Sequence, residues 1–138
     1  MQGCSVESED LTGRIIGCAM KVHSVLGPGF LESVYQNALS HELRQIGLKH
    51  ESEHPIAVRY DGVVVGNFVA DLFVDDQVIV ENRAVQSLAT THEVQLVNYL
   101  SATGIEIGLL LNFGARRLEF KRKYRTYKNG RQDDQIPE

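Results

Sequence analysis

From Leu11 to Leu26 apolar side chains fall at Leu11, Ile15, Ile16, Ala19, Val22, Val25 and Leu26, the three-and-four spacing of a helix that buries one face. Gly27-Pro28-Gly29 ends that pattern, and Leu31, Val34, Tyr35, Ala38, Leu39 and Leu43 begin a second helix, with Gly47 placed as its C-terminal cap. The period then shortens to two. The segment HPIAVRY runs to Asp61-Gly62, a favoured hairpin dipeptide, VVVGNFVADLFV runs to Asp75-Asp76, and QVIVENRAV follows, so three strands in a meander are predicted. Helical spacing returns over Thr90 to Thr103, stopped by Gly104. IEIGLLLNF is almost wholly apolar, as a strand covered on both faces would be, and the alternating, cationic RRLEFKRKY suits an exposed edge strand. This order predicts an α/β (α+β) sandwich with a mixed sheet. It places a single domain at residues 11–130, between a flexible N-terminus at 1–10 and a flexible tail at 131–138.

Composition adds bounds. A chain of 138 residues, 43% hydrophobic and 23% charged, is one ordinary globular domain, small enough that a homodimer would be natural. Cys4 and Cys18 lack C-x-x-C spacing, which leaves reduced cysteines as the default. The acidic N-terminus and short apolar runs indicate neither signal peptide nor membrane span, and the expected location is cytoplasmic. The net charge of −4 conceals an asymmetry: residues 1–114 carry 6 basic and 14 acidic side chains, residues 115–138 carry 8 basic and 4 acidic. An acidic body with a basic end leaves nucleic acid open as a partner.

The candidate chemistry lies in the hairpin around Asp75-Asp76. With its centre at residue 76, Asp71 on one strand faces Glu81 on the next, and opposed residues of an antiparallel pair hold their Cβ atoms about 4.5–5.5 Å apart. Like charges so placed cost stability unless a cation lies between them, and Mg²⁺ prefers one or two carboxylates with water and phosphate oxygens. Arg83, two residues beyond Glu81, shares its face. Two acids and a cation on one patch suit phosphodiester hydrolysis, in which a metal-bound water attacks and the cation neutralises charge on the phosphorane oxygens. A register slipped by one residue would instead point the acids apart into solvent.

Asp71 followed by Glu81-Asn82-Arg83 resembles the D…(D/E)xK signature of the PD-(D/E)XK nuclease superfamily, whose restriction-endonuclease-like αβββαβ core matches the predicted order. Gly29-Phe30-Leu31-Glu32-Ser33-Val34-Tyr35 is similar to the G-x-x-E-x-x-Y string of the GxxExxY proteins within that superfamily, and LGPGFLESVY and HEVQLVNYL extend the resemblance over about Leu11 to Phe113. The resemblance implies that Asp71 and Glu81 ligate Mg²⁺ or Mn²⁺ and that the carbonyl of Asn82 completes the inner sphere. It also implies that Glu32 serves a second metal or orients water, and that Gln95 lies beside the active site with Tyr99 supporting it or touching nucleic acid. His23 is similar to a metal-ligating helix histidine of some recombination nucleases. Three positions depart from the pattern: Arg83 stands where the motif has lysine, Asn82 where an apolar residue is usual, and Ala70 where proline precedes the acid. Arginine keeps its charge and stabilises an oxyanion but cannot serve as a base.

Each residue also has a plainer reading. Glu32 suits the first turn of a helix, where an acid favours the dipole. Gln95 suits a helix surface, Tyr35 and Tyr99 suit the core, and His92-Glu93 suits a helix start. Arg116, Arg117, Lys121, Arg122 and Lys123, interleaved with Phe120 and Tyr124, suit a nucleic-acid backbone with stacked bases, and equally a solvated edge strand. The resemblance implies a metal-dependent nuclease acting on DNA or RNA. The alternative is a catalytically inactive nuclease fold that serves as a nucleic-acid-binding or assembly module.

Overall fold

A computed structural model describes residues 4–125, with side chains from Asp10 onward. The elements are α1 (Cys4–Leu26), α2 (Glu32–Gln45), β1 (His50–Tyr60), β2 (Val63–Val74), β3 (Val78–Arg83), α3 (Thr90–Thr103), β4 (Ile107–Asn112) and β5 (Glu119–Tyr124). α1 begins at Cys4, ahead of the apolar pattern that starts at Leu11. β1 begins at His50, four residues before HPIAVRY, because its pairing with β2 reaches back to His50↔Val74. The predicted tail at 131–138 lies outside the described residues.

The five strands lie in the order β1-β2-β3-β4-β5. All neighbours are antiparallel except β3 and β4, which are parallel and joined through α3, the crossover that a parallel pair requires. β5 forms the edge opposite β1, with Lys121 exposed and Arg122 and Lys123 half-buried.

Period-two alternation sorts the sheet's side chains between two cores. Val78 and Val80 of β3 and Leu109 and Leu111 of β4 pack with Ile15, Ala19, Leu39 and Leu43 of α1 and α2. Ile79 and Leu110 point the other way and pack with Leu96, Tyr99 and Leu100 of α3. All six residues of β4 are buried, which is why IGLLLN is so apolar. α3 lies close to the sheet at Gly108, where a Cβ would stand 2.8 Å from Leu96 Cδ1. Among the described residues no helix is long and apolar enough to cross a membrane.

Candidate active site

The β2–β3 register is centred on residue 76, with Val74↔Val78, Phe73↔Ile79 and Leu72↔Val80. One step further along, Asp71 faces Glu81, but there the backbone ladder stops and side chains replace it. The Asp71 N–H donates to Glu81 Oε2 at 3.1 Å, and the Asn82 N–H donates to Asp71 Oδ2 at 2.7 Å. Each carboxylate thus meets the backbone of the opposite strand. Beyond this point β2 continues, paired with β1 alone.

Arg83 completes the group. Its Nη1 donates to the Asn82 carbonyl at 2.9 Å and to Glu81 Oε1 at 3.4 Å, and lies 3.9 Å from Asp71 Oδ2. Its Nη2 donates to Gln95 Oε1 at 3.4 Å, and Gln95 Nε2 donates to the Tyr99 hydroxyl at 2.6 Å. The Gln-x-x-x-Tyr pair on one face of α3 therefore holds the guanidinium against the acids. The Phe113 N–H donates to the Arg83 carbonyl at 2.8 Å, fixing the end of β3 against the segment after β4.

Both acids resist ionisation. Burial first, and then the neighbouring Asp71 charge, push the Glu81 carboxyl up to about 7 against the Asp71 N–H and Arg83, which work the other way. Asp71 is also raised, first by burial, against the Asn82 N–H and Arg83, with Glu32 and Glu53 adding repulsion. The repulsion that opposed acids should suffer is thus present, and a cation is what relieves it.

The remaining predicted residues stand further out. Glu32, the first residue of α2, is exposed, and its charge is felt at Asp71 although it makes no hydrogen bond to the group. His23 Nε2 meets the Ala115 carbonyl at 2.9 Å, so that ring nitrogen is spent on the backbone. Lys123 and Lys121 pair with Glu93 of α3 at 3.0 and 3.7 Å, and Arg122 turns to the other face and donates to Thr12 Oγ1 at 2.8 Å. Arg116 and Arg117 are exposed and make no ion pair among the described residues. Among the described residues no three His, Cys, Asp or Glu side chains cluster for a metal, so the oxygen set is two carboxylates and the Asn82 carbonyl. Those three oxygen groups suit a hard divalent cation that keeps several waters.

Two residues escaped the sequence. Glu53 lies between the pairs Ser52↔Leu72 and His54↔Ala70, level with Asp71, in a left-handed conformation with φ 56°. The register that places it there begins before the residues whose pattern announced the strand. Asn112, fully buried, accepts from the Val85 and Gly114 N–H groups at 2.9 and 3.0 Å and donates to Glu119 Oε1 at 2.9 Å, tying down the loop that leaves Arg83. It lies at the end of an apolar run and carries no motif.

Opposed acids where two strands part, with a cation two residues on, in a mixed sheet flanked by helices, define a nuclease-like fold. The chain belongs to the PD-(D/E)XK nuclease superfamily, whose model matches residues 9–123. Members generally use divalent metals, and their substrates are nucleic acids. The chain is also similar to the crystal structure of SSO0001, with a TM-score of 0.55 and 16% identity over 72% of this chain and 52% of that one. That likeness shows a shared fold, and the chain spans about half the length of that protein. No curated protein matches the sequence.

Proposed function

We propose that the protein hydrolyses phosphodiester bonds of DNA or RNA, with Asp71, Glu81 and the Asn82 carbonyl holding Mg²⁺ or Mn²⁺. The observation that carries this reading is the convergence of two opposed, charge-resisting acids on one guanidinium at the point where β2 leaves β3. The string of Gly29, Glu32 and Tyr35 supports placing the chain in the GxxExxY group. When bound, the metal supplies a water of lowered pKa and polarises the phosphoryl oxygen.

The chain's own residues have distinct tasks. Asp71 and Glu81 supply the negative charge that retains a divalent cation. Arg83, always protonated, neutralises charge on the non-bridging phosphoryl oxygens as water adds to phosphorus and the bond to the leaving oxygen breaks. Gln95 and Tyr99 are positioning residues that fix the guanidinium plane. Glu32, at the site's margin, orients water. Arg116 and Arg117 contribute phosphate contacts at the protein's basic end.

One observation favours the second reading, a non-catalytic nucleic-acid-binding module: the Arg83 guanidinium rests on the same three oxygen groups that a metal would use. Incubation with labelled single-stranded DNA, duplex DNA and RNA in Mn²⁺ separates the two. Cleavage that disappears in Asp71→Ala supports hydrolysis, and cleavage unchanged by that substitution overturns it. Absence of cleavage in the natural chain, with activity gained in Arg83→Lys, supports the inactive module.

A further inference from the structure

Beyond Asp71 the β1–β2 hairpin parts from β3, and a cleft of about 860 Å³ opens between the hairpin and α3. Ala57, Val58 and Phe68 form its hairpin wall and Val94 and Tyr99 its helix wall, so most of its surface is carbon. Phe68 is 45% exposed and Val94 52% exposed, large apolar groups left open to solvent at a concave surface. The Phe68 and Tyr99 rings stand 5.6 Å apart and tilted by 41°, the geometry of an aromatic pair that leaves the Phe68 ring accessible.

Three features define what such a cleft would hold. Its polar groups lie along α3, where Thr91 and Asn98 are exposed and offer hydroxyl and amide groups that donate and accept. Its lining includes one cation, Arg59, and no acid, and Arg59 makes no ion pair among the described residues. The cleft adjoins the acid cluster through Gln95 and Tyr99, which belong both to its lining and to the chain of hydrogen bonds that holds Arg83. A flat ring with hydrogen-bonding edges, joined to a phosphate on either side, matches an aromatic wall, an amide edge, an unpaired cation and an adjoining phosphodiester site.

We propose that this cleft is a base-binding subsite, which takes an unpaired nucleobase of a single-stranded nucleic acid against Phe68 while the neighbouring phosphate lies at Asp71, Glu81 and Arg83. The proposal rests on the phosphodiester reading of that site and adds its substrate class, an unstacked strand. A base inside a duplex presents no face to a side-chain wall until it leaves the stack, whereas a single strand offers every base to an aromatic platform.

The test is fluorescence anisotropy on the full chain in EDTA, where no hydrolysis intervenes. The probes are labelled oligothymidylate and oligouridylate of about a dozen nucleotides, a phosphodiester oligomer of abasic units of the same length, and a blunt DNA duplex. Stacking of one base on an aromatic side chain predicts about tenfold tighter binding of a base-bearing strand than of the abasic one. Phe68→Ala, shown to be folded by circular dichroism, should erase that preference and Phe68→Tyr should keep it. A preference in either the thymidylate or the uridylate arm supports the proposal and tells DNA from RNA. Equal binding of base-bearing and abasic strands overturns it, as does a preference that survives Phe68→Ala or a duplex bound more tightly than every single strand. The two readings fail separately: cleavage lost in Asp71→Ala without base preference removes the subsite alone, and base preference without any cleavage removes the hydrolytic reading alone.

Discussion

Asp71 and Glu81 are bound to each other's strands: the Asp71 N–H donates to Glu81 Oε2, and Asp71 Oδ2 in turn accepts from the N–H of Asn82. The two carboxylates thereby take the place of the next rungs of the ladder. Their position is set by backbone geometry, and their mutual repulsion is held in place by the same bonds. A hairpin that ends this way stores an electrostatic demand at the point where the fold opens.

That demand makes the protein's stability depend on pH in a definite direction. Glu81 holds its proton up to about 7 in the folded chain and releases it near the ordinary 4.5 when unfolded. The folded state therefore binds the extra proton between these values, and stability falls as pH rises through that window, then levels above it. Urea melts in EDTA should show the protein less stable at about pH 8 than at about pH 5, by a few kcal/mol at most. Glu81→Gln should flatten the dependence, and a slope unchanged in that variant would move its origin elsewhere.

Removal of the guanidinium should leave the oxygen set more open to a metal. Arg83→Ala is expected to bind Mn²⁺ about tenfold more tightly by calorimetry, since a positive charge a few ångströms away opposes a second cation. Asp71→Ala should bind it far more weakly. Equal Mn²⁺ affinity in the natural chain and in both variants would mean that the metal does not bind at these oxygens.

Asn82 lends its carbonyl to the site but turns its side chain into the sheet, where it is 1% exposed and both amide atoms lack a partner among the described residues. An unpaired buried amide costs about 1–3 kcal/mol. Asn82→Val should stabilise the fold by about that amount in urea. Unchanged stability would show that buried solvent satisfies the amide.

Gly114 follows β4 where the chain presses on the loop after Arg83. A Cβ there would come within 2.5 Å of backbone atoms of Ala84 and Val85, which are not free to move aside as a flexible side chain would be. Gly114→Ala should cost about 1–3 kcal/mol or more in thermal or urea melts and lower cleavage by displacing Arg83. A variant as stable as the natural chain would contradict the contact.

Tyr35, the last residue of the G-x-x-E-x-x-Y string, is fully buried and stacked on Phe113 with ring centres 4.7 Å apart. Its hydroxyl donates to the Gly27 carbonyl and accepts from the Phe30 N–H, so it clips the turn between α1 and α2. Tyr35→Phe keeps the stacking and loses both bonds, for an expected cost of about 1–3 kcal/mol on denaturation. A cost near zero would deny the hydroxyl this role.

The fold was legible because its signals are local and periodic. The change from three-and-four spacing to alternation, Asp61-Gly62, and the apolar run of β4 each report one element through its own neighbours in the chain. The hairpin's symmetry extended this to a contact ten residues apart and placed Asp71 opposite Glu81. Glu53 and Phe68 were not legible: one depends on the register between β1 and β2, the other on how far the hairpin stands from α3.

The sequence by itself determined the order of helices and strands, the register of the β2–β3 hairpin and the identity of the acid pair with Arg83, because short-range spacing and turn chemistry specify these. Only the tertiary structure decided that the Arg83 guanidinium rests on the acids under the hold of Gln95, that Lys121 and Lys123 are engaged by Glu93, and that a cleft opens beside the site. These relations join β3 to α3, α3 to β5 and the hairpin to α3. They depend on how the layers pack, which no spacing along the chain encodes.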